Sequence, residues 1–279
     1  MKKLVLLGML MVSALFADIK IITDRSDLHY EFLKQEFESK TGIKLNILSV
    51  KDGLIERLES EKFDVVYSTD SLLLESIKDK FIDIGKDNHR IYSNGKYLIV
   101  SGRYRGFFTK KGLESPKSFM EITKNDKYIN KLCIRKLTHS YNIDLFTQLA
   151  MNYGLDDTKV FIKWLQDNVP EVKQSGNDRS QVKSIKEGVC DYSIGNSYYM
   201  EVMKKDNEQK EWADAVNYTV TEENVLLTSG VGAVNYNEEV RELFKFIESK
   251  EFQDALALNT FEITNITKLK YNNSDLLEM

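Results

Sequence analysis

Little in this chain speaks for catalysis. Of 279 residues only three are histidine, His29, His89 and His139, and only two are cysteine, Cys133 and Cys190. No Cys-x-x-Cys pair or Cys/His grouping has zinc spacing, which excludes the common structural zinc sites. A Gly-x-Ser-x-Gly elbow and a phosphate-cradling glycine loop are both missing, so the sequence marks of α/β hydrolases and nucleotide-binding proteins are absent. No nucleophile–base pair stands out, and the chain reads as a binder, not an enzyme. Proline is scarce, with Pro116 and Pro170 alone. With no low-complexity linker either, the segments are tied by regular structure instead of being tethered as beads.

Positive charge is not in excess. The formal net charge is −4 and the lysines are scattered, which argues against nucleic acid or an anionic membrane as partner. Long apolar runs are missing except at the start, where Met1-Lys2-Lys3 precedes a run from Leu4 to Phe16. That run is short for a membrane span, and Ala17 offers a cleavage point, so residues 1–17 read as a secretory signal peptide. No cysteine follows the run, which speaks against a bacterial lipoprotein anchor. Export permits a disulfide. Both cysteines lie in apolar stretches that read as strands, and a Cys133–Cys190 bridge and two buried thiols fit equally well.

Strand and helix patterns alternate. Ile19–Thr23, Lys44–Val50 and Asp64–Tyr67 read as strands; Leu28–Lys40, Gly53–Lys62 and Ser71–Lys80 read as helices. Tyr97–Val100 and Gly106–Lys110 are two extended pieces, followed by a strand at Leu132–Arg135 and helices at Ser140–Tyr153 and Asp157–Asp167. Asp178 and Gln181 have capping-box spacing at the start of a further helix. Val189–Ile194 and Val231–Val234 are strands, and Glu238–Ser249 and Glu251–Leu258 are helices. The pattern predicts two α/β lobes: residues 18–102 plus 228–279, and residues 103–227. Crossings near Ser101–Arg105 and Thr228–Gly232 would form the hinge, with a ligand in the cleft at strand C-termini.

Tyrosine is abundant, at 14 residues. Tyr198-Tyr199 follows the strand that ends near Ile194. On one strand, adjacent side chains point to opposite faces. On a first helical turn they project about 100° apart and both rings reach one small ion. Asn196 or Ser197 would cap that helix. Phenolate oxygen is a hard donor, and Fe(III) is the biological metal that tyrosine serves. Core aromatics at a helix start are the plainer reading of the pair.

Several short motifs run in one order along the chain: Thr41-Gly42-Ile43, Asp64-Val65-Val66, Ser101-Gly102-Arg103, Cys133-Ile134-Arg135 followed by Tyr141-Asn142, Gly176-Asn177-Asp178, Asn196-Ser197-Tyr198-Tyr199-Met200 and Ser229-Gly230-Val231-Gly232. Together they resemble the periplasmic ferric-iron-binding proteins, the substrate-binding components of iron(III) ABC transporters, in the group with tyrosine-rich sites. The resemblance implies a two-lobed type II periplasmic-binding-protein fold. It further implies periplasmic location in a Gram-negative bacterium, a monomer, and delivery of iron to an inner-membrane permease. It carries metal-ligand roles onto Tyr141, Tyr198 and Tyr199. Where that group has Arg-His-Tyr, this chain has Arg25-Ser26-Asp27, so Asp27 is the expected ligand from the first lobe, ahead of Tyr30. Arg103 and Arg135 are expected to neutralise phenolates or hold a bridging anion such as carbonate, a planar oxyanion matched by a guanidinium fork. A salt bridge is the plainer role for each. Asp178 is expected as an N-cap, and His139 as a solvent-facing loop residue. The alternative function is a two-lobed protein for an organic or phosphate-bearing anion, with Arg103, Arg135 and Arg179 as the clamp.

Overall fold

In both halves of the molecule, apolar side chains alternate along strands that carry helices on either face. The computed structural model describes residues 18–25, 27–85, 91–92, 95–174, 176–264 and 266, with the side chains of residues 27, 28, 91 and 92 outside that description. The signal-peptide expectation for 1–17 also lies outside the described residues. In chain order the elements are β1 (Ile19–Thr23), α1 (Asp27–Thr41), β2 (Leu45–Ser49), α2 (Leu54–Ser60), β3 (Val65–Ser68), α3 (Ser71–Ser76), β4 (Ile91–Tyr92) and β5 (Tyr97–Lys110). Next come β6 (Leu132–Cys133), α4 (Ser140–Tyr153), α5 (Leu155–Asn168), α6 (Asp178–Lys186), β7 (Tyr192–Asn196), α7 (Tyr199–Lys205) and α8 (Lys210–Ala213). The last are β8 (Val216–Val220), β9 (Leu226–Ala233), α9 (Glu238–Glu248) and α10 (Lys250–Thr260).

The strands form a mixed sheet in the order β2-β1-β3-β9-β5-β7-β6, with β4 and β8 also pairing with β5. β1 runs parallel to β2 and β3, and β9 is antiparallel to both β3 and β5. β5 is the long connector. Its first part, Tyr97–Tyr104, pairs with β9, and Arg105–Thr109 pairs with β7. The two extended pieces read from the sequence are therefore one strand, with a register shift between Ile99 and Ser101. A bulge of that kind bends a strand without ending it.

Adjacent residues sort to opposite faces, as the pleat requires. In the first half, Ile21 and Val65 join a core with Phe37, Val240, Leu243, Phe252 and Leu256, whereas Ile22 and Val66 join another with Leu74, Phe81 and Ile99. In the second half, Phe107 packs with Leu145, Leu149, Phe161 and Ile194, whereas Phe108 packs with Val182, Ile185, Met203 and Val216. β9 feeds both halves: Leu226 packs beside the first-half core and Leu227 inside the second. The C-terminal segment returns to this junction, where Ile263 pairs with Gly102 on β5. An added Cβ at Gly102 would lie 2.7 Å from Ile266 Cδ1 and 3.3 Å from the Leu227 carbonyl oxygen, so Ile266 would have to move to admit it.

Cys133 and Cys190 are joined as a disulfide, which settles the alternative left open by the sequence. The cap of α6 differs from expectation. Asn177, not Asp178, is the N-cap, and it forms a reciprocal capping box with Ser180.

Candidate metal centre

β7 is buried along its whole length and ends at Asn196, after which the chain turns into α7. Neither Asn196 nor Ser197 caps α7. Tyr198 occupies that position without a side-chain cap. Ser197 instead accepts a hydrogen bond from the Tyr104 amide. The turn still presents the two tyrosines together, with ring centroids 4.1 Å apart and planes tilted by 31°. Their hydroxyls are close enough for each to influence the other's ionisation. Burial, then the neighbouring Tyr199 and Tyr141, push the Tyr198 hydroxyl well above the ordinary phenol range. Tyr199 is pushed up by burial, Asp178 and Tyr141. The three phenols are therefore close enough to feel one another's charge.

Tyr141 stands in the first turn of α4, and three guanidiniums surround its ring. Arg103 lies 4.9 Å from the ring centroid, Arg135 5.0 Å and Arg105 5.8 Å. Arg103 and Arg105 are two apart on β5, the spacing that places both on one face. Arg179 lies 5.8 Å from the Tyr199 centroid.

Two buried carboxylates organise these cations. Asp178 is fully enclosed; it accepts from Arg135 Nε and Arg105 Nη1, and from the Asn196 amide at 2.9 Å. Burial raises its pKa, but Arg105 and Arg135 outweigh that and hold it below the usual carboxylate range. It thus clamps arginines instead of capping a helix. Glu262, from the C-terminal segment, accepts from Arg25 Nη2 at 2.9 Å and from Ser101 Oγ, and lies 3.4 Å from His29 Nε2. Burial works against its charge, and Arg25 and His29 hold it well below the carboxylate range. Ser229 on β9 accepts from both Arg25 and Arg103, at 2.6 and 2.8 Å, which links the two halves of the network.

A cleft of about 500 Å³ opens over Tyr198 and Tyr199. Its other wall comes from the first half, through Asp24, Arg25, His29 and Ser49–Lys51. His29 meets Tyr198 edge-on, with centroids 6.3 Å apart. Of the expected residues, Tyr198 and Tyr199 line the cleft. Tyr141 lies beside them within the guanidinium shell, and Arg103 and Arg135 contact Tyr141. Tyr30 is half-buried on α1 and does not line the cleft. The Asp27 side chain falls outside the described residues. His139 is not a free loop residue. It caps α4 by accepting from the Tyr141 amide and sits 3.0 Å from Arg135 Nη1; burial and Arg135 pull its pKa down to about 4.

Sequence reasoning missed Glu262 and Arg105. Around Glu262 the order Thr260-Phe261-Glu262-Ile263-Thr264 reads as two apolar residues turned inward, the reverse of what folds, so no local signal marks it. Arg105 did carry a signal, its two-residue spacing from Arg103. A third buried acid, Asp144 on α4, accepts from Gln148 Nε2 at 2.8 Å. Burial pushes its pKa up to about 7.

The fold is that of a two-lobed type II periplasmic-binding protein. Within that class, the chain is similar in sequence and structure to ferric-iron-binding proteins. Iron uptake protein A1 of Synechocystis sp. (strain ATCC 27184 / PCC 6803 / Kazusa) is 27% identical over 280 residues, spanning 89% of this chain and 77% of that protein. The apo ferric ion-binding protein A of Pasteurella haemolytica matches with a TM-score of 0.83 at 27% identity, covering 94% of this chain and 93% of that one. The ferric iron-binding protein A of Mannheimia haemolytica, in an open conformation, matches with a TM-score of 0.78 at 26% identity, covering 94% of each chain. No family model matches the chain. No helix among the described residues is long and apolar enough to cross a membrane.

Two stability predictions follow from the buried acids. Asp178→Ala leaves Arg105 and Arg135 without their counter-charge, and urea unfolding should show a loss of about 3–5 kcal/mol. Asp144 has the opposite sign. Its folded pKa lies above the unfolded value, so its favourable contribution is complete below about pH 4 and is lost as pH rises through about 7. Asp144→Asn keeps the acceptor for Gln148 and removes the charge. Scanning calorimetry should find its melting midpoint above wild type at pH 8, by about 2–4 °C for each kcal/mol regained, with the gain vanishing at pH 4. An equal gain at both pH values would contradict the assignment.

Proposed function

We propose that this protein captures Fe(III) in the periplasm and delivers it to an inner-membrane ABC permease. The observation that carries the reading is the close, tilted Tyr198–Tyr199 pair in a cleft faced by His29, with Tyr141 beside it. The lobes are taken as residues 18–102 plus 228–279, and 103–227, with β5 and β9 as the crossing strands.

The donor set suits a hard trivalent ion as cargo. Tyr141, Tyr198 and Tyr199 would bind as phenolates, and His29 supports a nitrogen donor from the facing lobe. Glu262 beside His29 Nε2 fits the pairing in which a carboxylate orients a ligating imidazole. Charge balance supports the same set. Arg25, Arg103, Arg105 and Arg135 outnumber the two carboxylates they face, Glu262 and Asp178. Three phenolates and one Fe(III) are neutral together, so the remaining positive charge suits an anion such as carbonate between guanidinium and metal. Tyrosines concentrated on one lobe support loading there first, with His29 brought in by closure about the hinge. The similarity to iron uptake and ferric-binding proteins supports transport over catalysis; in this reading the protein acts as a monomer and hands its cargo to a permease.

Aerobic titration with Fe(III) should produce a visible phenolate-to-iron charge-transfer band. Tyr198→Phe or Tyr199→Phe should weaken binding by more than the ~10–100-fold seen when an outer-shell partner is lost, and bleach or shift the band. A colourless protein after loading would overturn the reading. If an oxyanion stabilised the metal-free protein while Fe(III) did nothing, the cleft would be that of an anion-binding protein. Because the Tyr198 and Tyr199 protons must leave, affinity should fall with each unit drop in pH, by about tenfold per displaced proton.

A further inference from the structure

The lobe that carries the tyrosines is built where two strand ends converge. β6 leads through Ile134 and Arg135 to the His139 cap and Tyr141. β7 leads through Asn196 to Tyr198 and Tyr199. The ladder between them is minimal, Leu132 beside Tyr192 and Cys133 beside Ser193, and β6 lies at the end of the sheet order. Two residue pairs are a weak means of fixing register.

Two cross-links close the gap at opposite ends. Near the start of β7, Cys190 is bonded to Cys133, with Cα atoms 6.0 Å apart. At its far end, Asp178 accepts from the Asn196 amide and from Arg135. Disulfide, β7, Asn196, Asp178 and Arg135 thus form a closed ring, and Arg135 stands two residues beyond Cys133. From that ring Arg135 stacks on Tyr141 and lies within electrostatic reach of Tyr199. Both cysteines are buried, at 3% and 1% exposure, so the bond is set as the lobe folds and is not a surface switch.

We propose that the Cys133–Cys190 disulfide is a positioning device for the metal site: it fixes β6 against β7 so that Arg135 meets Tyr141 and Asp178, and a chain without it loses trivalent-metal affinity before it loses its fold. The bond forms by exchange with an external disulfide. The two cysteine thiols are oxidised, the external disulfide is reduced to two thiols, and the two protons pass to those thiols. The inference rests on the Fe(III) reading given above.

The test compares oxidised wild type with the double variant Cys133→Ala, Cys190→Ala, at a temperature where circular dichroism shows both folded. Fe(III) is titrated against a competing chelator, and the charge-transfer band is recorded. The expected result is a ~10–100-fold weaker affinity with a shifted band. In an Arg135→Ala background, removing the disulfide should add little, because the two changes act on one element. A second arm keeps both sulfurs: wild type is refolded under reductant and titrated with Ga(III), which thiols do not reduce, reading the tyrosinate ultraviolet difference spectrum. Unchanged affinity and band in the disulfide-free chain would overturn the proposal, as would additive losses with Arg135→Ala. Failure of both disulfide-free forms to fold would overturn it too, since the bond would then serve the fold alone. No band in oxidised wild type would instead sink the Fe(III) reading.

Discussion

Two carboxylates sealed from water, one gripping two guanidiniums and the other a guanidinium, a hydroxyl and an imidazole, underlie the rest of the site. An ion buried alone costs several kcal/mol, and only close pairing with further hydrogen bonds recovers it. Asp178 and Glu262 meet that condition with Arg105, Arg135 and the Asn196 amide on one side, and with Arg25, Ser101 and His29 on the other. The pairing also fixes direction. A guanidinium is a flat fork, so anchoring some of its N–H groups aims the plane and the rest. Arg105 and Arg135 are held against the Tyr141 ring in this way, and Arg103 is aimed there by its bonds to Ser229 Oγ and the Thr69 carbonyl.

That arrangement sets the electrostatics that a cation cargo meets. Before metal arrives, Tyr198 and Tyr199 are neutral and resist ionisation, because burial penalises the phenolate and each hydroxyl would repel the others. On the proposed reading, metal would reverse the preference, since a trivalent charge among three phenols favours the ionised form. The cationic shell would then temper the negative charge that the protons leave behind. Burial that makes the phenols weak acids would also keep weaker cations from displacing their protons, a basis for selectivity by charge.

Most of the architecture was legible because helices and strands in this chain are amphipathic with clear periods. The α/β alternation, the sheet-to-helix order and the Tyr198–Tyr199 turn came from local pattern. Tyr141, Arg103 and Arg135 were legible only through the ordered motifs. The failures share one cause. Asp178 looked like a cap because capping is a three-residue signal, while its real partners, Arg105 and Arg135, are 73 and 43 positions away. Glu262 was invisible for the same reason, being defined by Arg25 and Ser101 at separations of 237 and 161. Tertiary charge pairing leaves no periodic trace in sequence.

The Arg25–Glu262 pair also bears on how the chain matures. The half that contains β1 takes core residues from α9 and α10, and its buried acid from beyond them. A polypeptide emerging in order from the ribosome therefore cannot complete its first-made half until its last-made elements appear, whereas the tyrosine-bearing half is encoded within one uninterrupted stretch. Long-range closure of this kind is slow. Until those later elements arrive, the earlier half lacks both the helices that close its core and the acid that neutralises Arg25.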